Sequence, residues 1–83
     1  KAAVALEAAD LPLFEALRTV RRELAERQGV PPYVVFSDVT LVEMSRLRPR
    51  SEAELLGITG VGQVKLERYG TDFLAVVKEH LAA

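Results

Sequence analysis

LLGITGVGQVKLERYG, residues 55–70, is the stretch whose reading decides the fold. Gly60 and Gly62 flank Val61, and Lys65 follows three residues after the second glycine. Glycines at a helix start with a lysine close behind often grip phosphate, so two nucleotide patterns come first. The Walker A loop needs G-x-x-x-x-G-K-[ST] after a strand. Here the glycines stand too close, no Gly-Lys pair exists, and no strand precedes them. The dinucleotide fingerprint needs a third glycine where Lys65 stands. What fits is helix, Gly-hydrophobic-Gly, helix, a helix-hairpin-helix arrangement. The glycines allow positive φ, and the free amides of the next helix can face a phosphate. Lys65 adds a charge one turn in, with Arg68 at i+3 on the same face. The same glycines equally serve a tight turn and close helix packing without any ligand.

Working outward, helices follow on both sides. Ser51 and Glu54 form a capping box ahead of Leu55 and Leu56, and Gly57 stops that short helix. Gly70 reads as the end of a fourth helix, with Phe73, Leu74, Val77 and Leu81 as the stripe of a last one. Upstream, Leu41, Met44 and Leu47 mark a helix capped by Ser37 or Asp38 and ended by Pro49. VPPYVVF, residues 30–36, has strand-like composition, but Pro31–Pro32 and the lack of a pairing strand make it an extended connector. The first helix spans roughly 11–28, with Asp10 as N-cap, Pro12 in the first turn and Gly29 as the stop. Its stripe is Leu13, Phe14, Leu17, Val20 and Leu24. Residues 1–10 read as an alanine-rich linker or lead-in, and 11–83 as the folded domain. The expectation is all-α, a compact bundle of about five helices around a helix-hairpin-helix-like element.

Composition bounds the function. A chain of 83 residues makes one domain, and 49% hydrophobic residues allow a packed core. The absence of cysteine excludes disulfides and thiolate metal sites, and fits a reducing cytoplasm. No apolar run approaches the roughly 20 residues of a membrane span. A start at Lys1 without a signal pattern reads as a domain taken from a longer protein. His80 is the sole histidine and lacks a nucleophile or a second ligand, so no catalytic residue, metal or cofactor is expected. The net charge of −1 predicts that any nucleic-acid binding is local, weak and salt-sensitive. Helical spacing pairs Arg18 with Glu15, Arg22 with Glu26, Arg27 with Glu23 and Arg46 with Glu43. Arg48, Arg50, Lys65 and Arg68 remain as the least compensated cations. Tyr33, behind two prolines, is either a stacking platform for a base or a core residue with a partnered hydroxyl. Phe36, Met44 and Phe73 read as core.

With VPPYVVFSDVTLVEM and ITGVGQVKLERYGTDFL both in view, the sequence resembles the HRDC domain. That module sits near the C-terminus of RecQ-type DNA helicases and of RNase D. The resemblance spans about residues 11–81, and VPPYVVFSDVTL looks most like bacterial RecQ helicases. It implies a non-catalytic accessory domain in DNA repair and recombination, which tunes the DNA structures engaged while another domain hydrolyses ATP. The implied partners are single-stranded or branched DNA, bound weakly, and other domains of the parent helicase. The implied setting is the bacterial cytoplasm at the nucleoid, and the isolated domain is expected to be a monomer. Carried over by position, Tyr33 of VPPYVV is the leading aromatic contact and Lys65 of GVGQVK the leading basic one. The full candidate nucleic-acid-binding set is Tyr33, Arg48, Arg50, Gly60, Gly62, Lys65 and Arg68. An RNase D parent would make the ligand RNA. The interspersed acids Glu43, Glu52, Glu54 and Glu67 raise a second expectation, a protein-docking regulatory module with little direct DNA binding.

Overall fold

The structure, a computed structural model, describes residues 6–81. The lead-in residues 1–5 and the final residues 82–83 lie outside the described residues. A 3-10 turn at Ala8–Asp10 leads into α1 (Leu11–Gln28), α2 (Pro32–Val35), α3 (Asp38–Leu47), α4 (Glu52–Leu56) and α5 (Gln63–Leu81). No strand occurs among the described residues. The number of helices is as expected, but two of them are divided differently.

The first difference is the connector at 30–36, which contains the helical turn α2. Pro31 is extended (φ −64°, ψ 151°), as a residue before proline prefers. Pro32 then stands at the first helical position, where its missing N–H is no loss. The Val34 N–H closes the turn on the Pro31 carbonyl at 3.0 Å. The second difference is Gly70, which does not break the helix: α5 runs through it. Gly70 is buried, and a Cβ there would lie 3.0 Å from Leu66 Cδ1 and 3.8 Å from Leu55 Cδ2. This glycine leaves room for the Leu66 side chain one turn back on α5, with Leu55 of α4 at ordinary contact distance, and makes no turn.

Other local signals act as the sequence states them. Gly29 ends α1 in the left-handed conformation (φ 68°). Ser37 caps α3 by accepting from the Thr40 N–H at 3.3 Å. Ser51 caps α4 by accepting from the Glu54 N–H at 3.1 Å, but the Glu54 carboxylate accepts from the Arg50 N–H at 2.8 Å. The core gathers Leu13 and Leu17 of α1, Leu41 and Met44 of α3, Leu55 of α4 and Phe73 and Val77 of α5. Phe36 is fully enclosed and meets Tyr69 and Phe73 edge-on, with ring centroids 5.8 and 4.9 Å away. Leu47 was placed on the α3 stripe but is exposed, because the chain leaves the helix there through Arg48 in a left-handed conformation (φ 51°).

Asp10 also departs from its expected role. Its backbone is helical (φ −89°, ψ −14°) and its side chain caps nothing on α1. The buried carboxylate instead accepts from the Glu7 N–H at 3.0 Å and meets Arg46 at 3.3 Å and Arg48 at 3.4 Å. The Glu7 N–H foremost, and then the two guanidiniums, hold this carboxyl below its usual 3.8 despite the opposing effect of burial. A depressed folded pKa stabilises the fold above the unfolded value and stops doing so as pH falls through the folded one. Asp10→Asn is therefore expected to melt lower than wild type at pH 7, with the gap closing as the pH falls below about 4. Thermal melts followed by circular dichroism between pH 7 and 2.5 check this, and a gap independent of pH would assign the loss to shape instead of charge.

Candidate nucleic-acid interface

The hairpin between α4 and α5 is tied to the first turns of α3. The Thr40 hydroxyl donates to the Thr59 carbonyl at 2.8 Å, and the Thr59 N–H donates to the Glu43 carboxylate at 3.0 Å. Glu43 is thus engaged by the hairpin, and the expected pair with Arg46 is replaced by Arg46 with Asp10 and Glu7. Gly60 needs its freedom, since its φ is 89° and a Cβ would run into the Thr40 hydroxyl. Gly62 does not: its φ is ordinary, and a Cβ would have open space.

The hairpin delivers the chain into α5 with its first amides unspent. The first backbone bond onto the helix runs from the Leu66 N–H to the Gly62 carbonyl at 2.9 Å. Among the described residues nothing accepts from the N–H groups of Gln63, Val64 and Lys65. One turn in, the Lys65 ammonium lies 5.7 Å from the centroid of the Phe36 ring. Lys65 is half-buried, and a cation over an aromatic face is attracted by the ring quadrupole. Arg68 is exposed, forms no ion pair among the described residues, and borders a shallow hollow with Gln28 and Tyr69. The Tyr69 hydroxyl donates to Gln28 there at 3.0 Å.

Tyr33 is 69% exposed on α2, so the core alternative for this residue does not hold. Phe36 links it to Lys65: the ring that carries the ammonium belongs to the residue ending α2, three positions after Tyr33. Arg21, which sequence reasoning did not single out, fixes this junction from beneath. It is buried, donates to the Phe36 carbonyl at 3.0 Å and forms an ion pair with Asp38 at 2.8 Å. The signal was present, because Arg21 falls on the apolar stripe Leu13, Leu17, Leu24 at helical spacing.

The remaining candidates lie elsewhere. Arg48 sits at the far end of α3, about 12 Å of helix beyond Thr40, and is not an uncompensated cation. It meets Asp10 at 3.4 Å and donates to the Ala9 and Ser45 carbonyls at 3.2 and 3.3 Å. The Arg50 side chain forms no ion pair among the described residues. The His80 ring lies 3.0 Å from the Val76 carbonyl, on its own helix. Among the described residues no acidic, histidine or cysteine cluster is placed to hold a metal, and no helix is long and apolar enough to cross a membrane.

Comparisons with known proteins follow this geometry. Residues 10–77 match the family described as the HRDC domain. The chain is similar to the ATP-dependent DNA helicase RecQ of Haemophilus influenzae, 48% identical over 73 residues that cover 88% of this chain and 12% of that protein. It is also similar to the RecQ of Bacillus subtilis, 54% identical over 68 residues, 82% of this chain and 12% of that protein. Among solved structures, the third HRDC domain of D. radiodurans RecQ superposes with a TM-score of 0.85 at 36% identity, covering 89% of this chain and 97% of that one. The chain thus spans about an eighth of the length of these helicases.

Proposed function

The chain belongs to the HRDC domain family, and from that membership we propose that it is the accessory domain of a RecQ-type DNA helicase, binding single-stranded or branched DNA weakly and tuning which DNA structures the parent engages. The observation that supports this reading is the exposed Tyr33 ring on α2, the helix C-capped by Phe36, whose ring centroid lies 5.7 Å from the Lys65 ammonium. Bases of any identity can stack on such a ring, while Lys65, Arg68 and the open amides of the hairpin take backbone phosphates. The domain itself carries out no reaction. ATP hydrolysis belongs to the remainder of the parent, which acts in the cytoplasm on the nucleoid. Weakness follows from the charge, since a net −1 leaves only a local field to attract phosphate.

A second reading has its own support. A hollow between α1 and α5 is lined by three acids, Glu23, Asp72 and Glu79, against one cation, Arg27, beside Val20 and Val76, and none of these four forms an ion pair among the described residues. Such a surface suits docking on a basic part of the parent helicase.

Fluorescence anisotropy with labelled single-stranded and branched DNA at several salt concentrations separates the two. Two to four phosphate contacts give a slope of log K against log salt of about −1.4 to −2.8. Undetectable binding at low salt, with DNA-structure selection by the parent still altered when the domain is deleted, would decide for docking.

A further inference from the structure

Three arginines of α1, Arg18, Arg21 and Arg22, line a pocket of about 190 Å3 together with Glu15, Thr19 and Pro32. Pro32 precedes Tyr33 in the chain, so the pocket opens within one residue of the exposed ring. The three guanidiniums differ in what they already hold. Arg21 is committed to Asp38 and the Phe36 carbonyl, while its Nε is buried without a partner. Arg18 meets Glu15 at 3.2 Å, with both side chains more than half exposed, a setting in which an ion pair is weak. Arg22 is exposed, and the expected pair with Glu26 does not form. No carboxylate partners it among the described residues.

We infer that this pocket is a phosphate subsite for the DNA strand whose base stacks on Tyr33, with Arg22 and Arg18 holding phosphodiester oxygens. The inference rests on the DNA-binding reading above and extends it to α1. Guanidinium suits the role because its planar fork matches phosphate as it matches carboxylate. Glu15 is the resident competitor, and a phosphate displaces it from Arg18. The placement also orders the interface. Pro32, at the start of α2, faces the arginines of α1, and Phe36, at its end, carries Lys65 of α5. A strand lying along α2 therefore meets cation, aromatic ring and cation in turn, supplied by three different helices.

The test is anisotropy of a labelled single-stranded oligothymidine at low and moderate salt, with wild type and single variants. Arg22→Ala is expected to shallow the salt slope by about 0.7, one contact's share, and to weaken low-salt binding roughly five- to ten-fold. Arg22→Lys restores most of the slope. Glu15→Gln tightens binding, because it frees Arg18, whereas Glu26→Gln on the same helix gives no comparable gain. Arg22 and Glu15 are exposed, so unchanged melting temperatures accompany these effects. As a second measurement, the Arg22 Nε–H resonance shifts when the oligonucleotide is added. If Arg22→Ala binds as wild type while Tyr33→Ala is weakened, or if that resonance stays still at saturation, the subsite falls and the DNA-binding reading stands. If wild type shows no salt-dependent binding, both fall together.

Discussion

Gly60→Val is expected to destabilise the domain by about 3 kcal/mol, from a strained backbone and an overfilled site together. For a domain of this size that lowers the melting temperature by roughly 12–24 °C. Two causes act at one position. The φ of 89° lies where side-chain-bearing residues are strained, and a β-branched residue most of all. The new Cβ also meets the hydroxyl that Thr40 uses to hold the Thr59 carbonyl, so the hairpin must lift from α3 or lose that bond. A double-mutant cycle separates the two causes. In Gly60→Ala paired with Thr40→Ala the clash is gone, leaving the backbone strain and the lost Thr40–Thr59 bond, so the pair should cost less than the sum of the single changes. Gly62→Ala is the control: with ordinary φ and open space it should stay within about 0.5 kcal/mol of wild type. A Gly60→Val domain that melts with wild type would show that the hairpin does not dock on α3 as described.

Tyr33→Ala is expected to weaken single-strand binding by about 1–3 kcal/mol, or roughly 5- to 150-fold. Stacking releases few counterions, so the salt slope should hardly change. Lys65→Ala should do the opposite, flattening the slope by about 0.7 with a smaller loss of affinity. The Tyr33 ring is mostly exposed, so its loss leaves the melting temperature nearly unchanged, and lost binding cannot be put down to unfolding. Tyr33→Phe should retain most of the affinity. Anisotropy titrations of wild type and both alanine variants across salt supply both readouts. Binding indifferent to both substitutions would remove this surface as the contact.

What could be read in the sequence was local. The α1 stripe, the Gly29 stop and the serine caps depend on neighbours a few residues away, and each appears where spacing puts it. The misplaced ion pairs have a cause in contacts between residues distant in sequence. Arg48 has no partner at helical spacing, but Asp10 finds it from 38 positions away. Glu43 was given to Arg46 by the i+3 rule, while the actual competitor, the Thr59 amide, is 16 residues off. Gly70 reads as punctuation because a glycine's role in making room for a neighbouring side chain, here Leu66, leaves no mark in the sequence. The two prolines suggested extension, but a proline at the first position of a helix fits as well. For the interface, the hairpin glycines and Lys65 were visible as a motif. Spacing alone left Tyr33 open between core and surface, because a single turn of helix has no second turn to set a periodicity.

That single turn also has a kinetic meaning. α2 carries Tyr33 on a single turn fixed at both ends: proline rings fix φ at Pro31 and Pro32, Phe36 after the turn is locked among aromatic rings, and Arg21 holds its carbonyl. Under the proposed function, a strand landing there would order itself and not the protein, so association is expected to proceed as rigid-body docking without a conformational step to slow it. The heat-capacity change of such an encounter reflects about one ring's worth of buried surface, far from the 1,000 Å2 and more of coupled folding and binding. Contact is then expected to be made fast and released fast. If the proposed function holds, a module of this kind on a helicase would sample the strand ahead without becoming a brake.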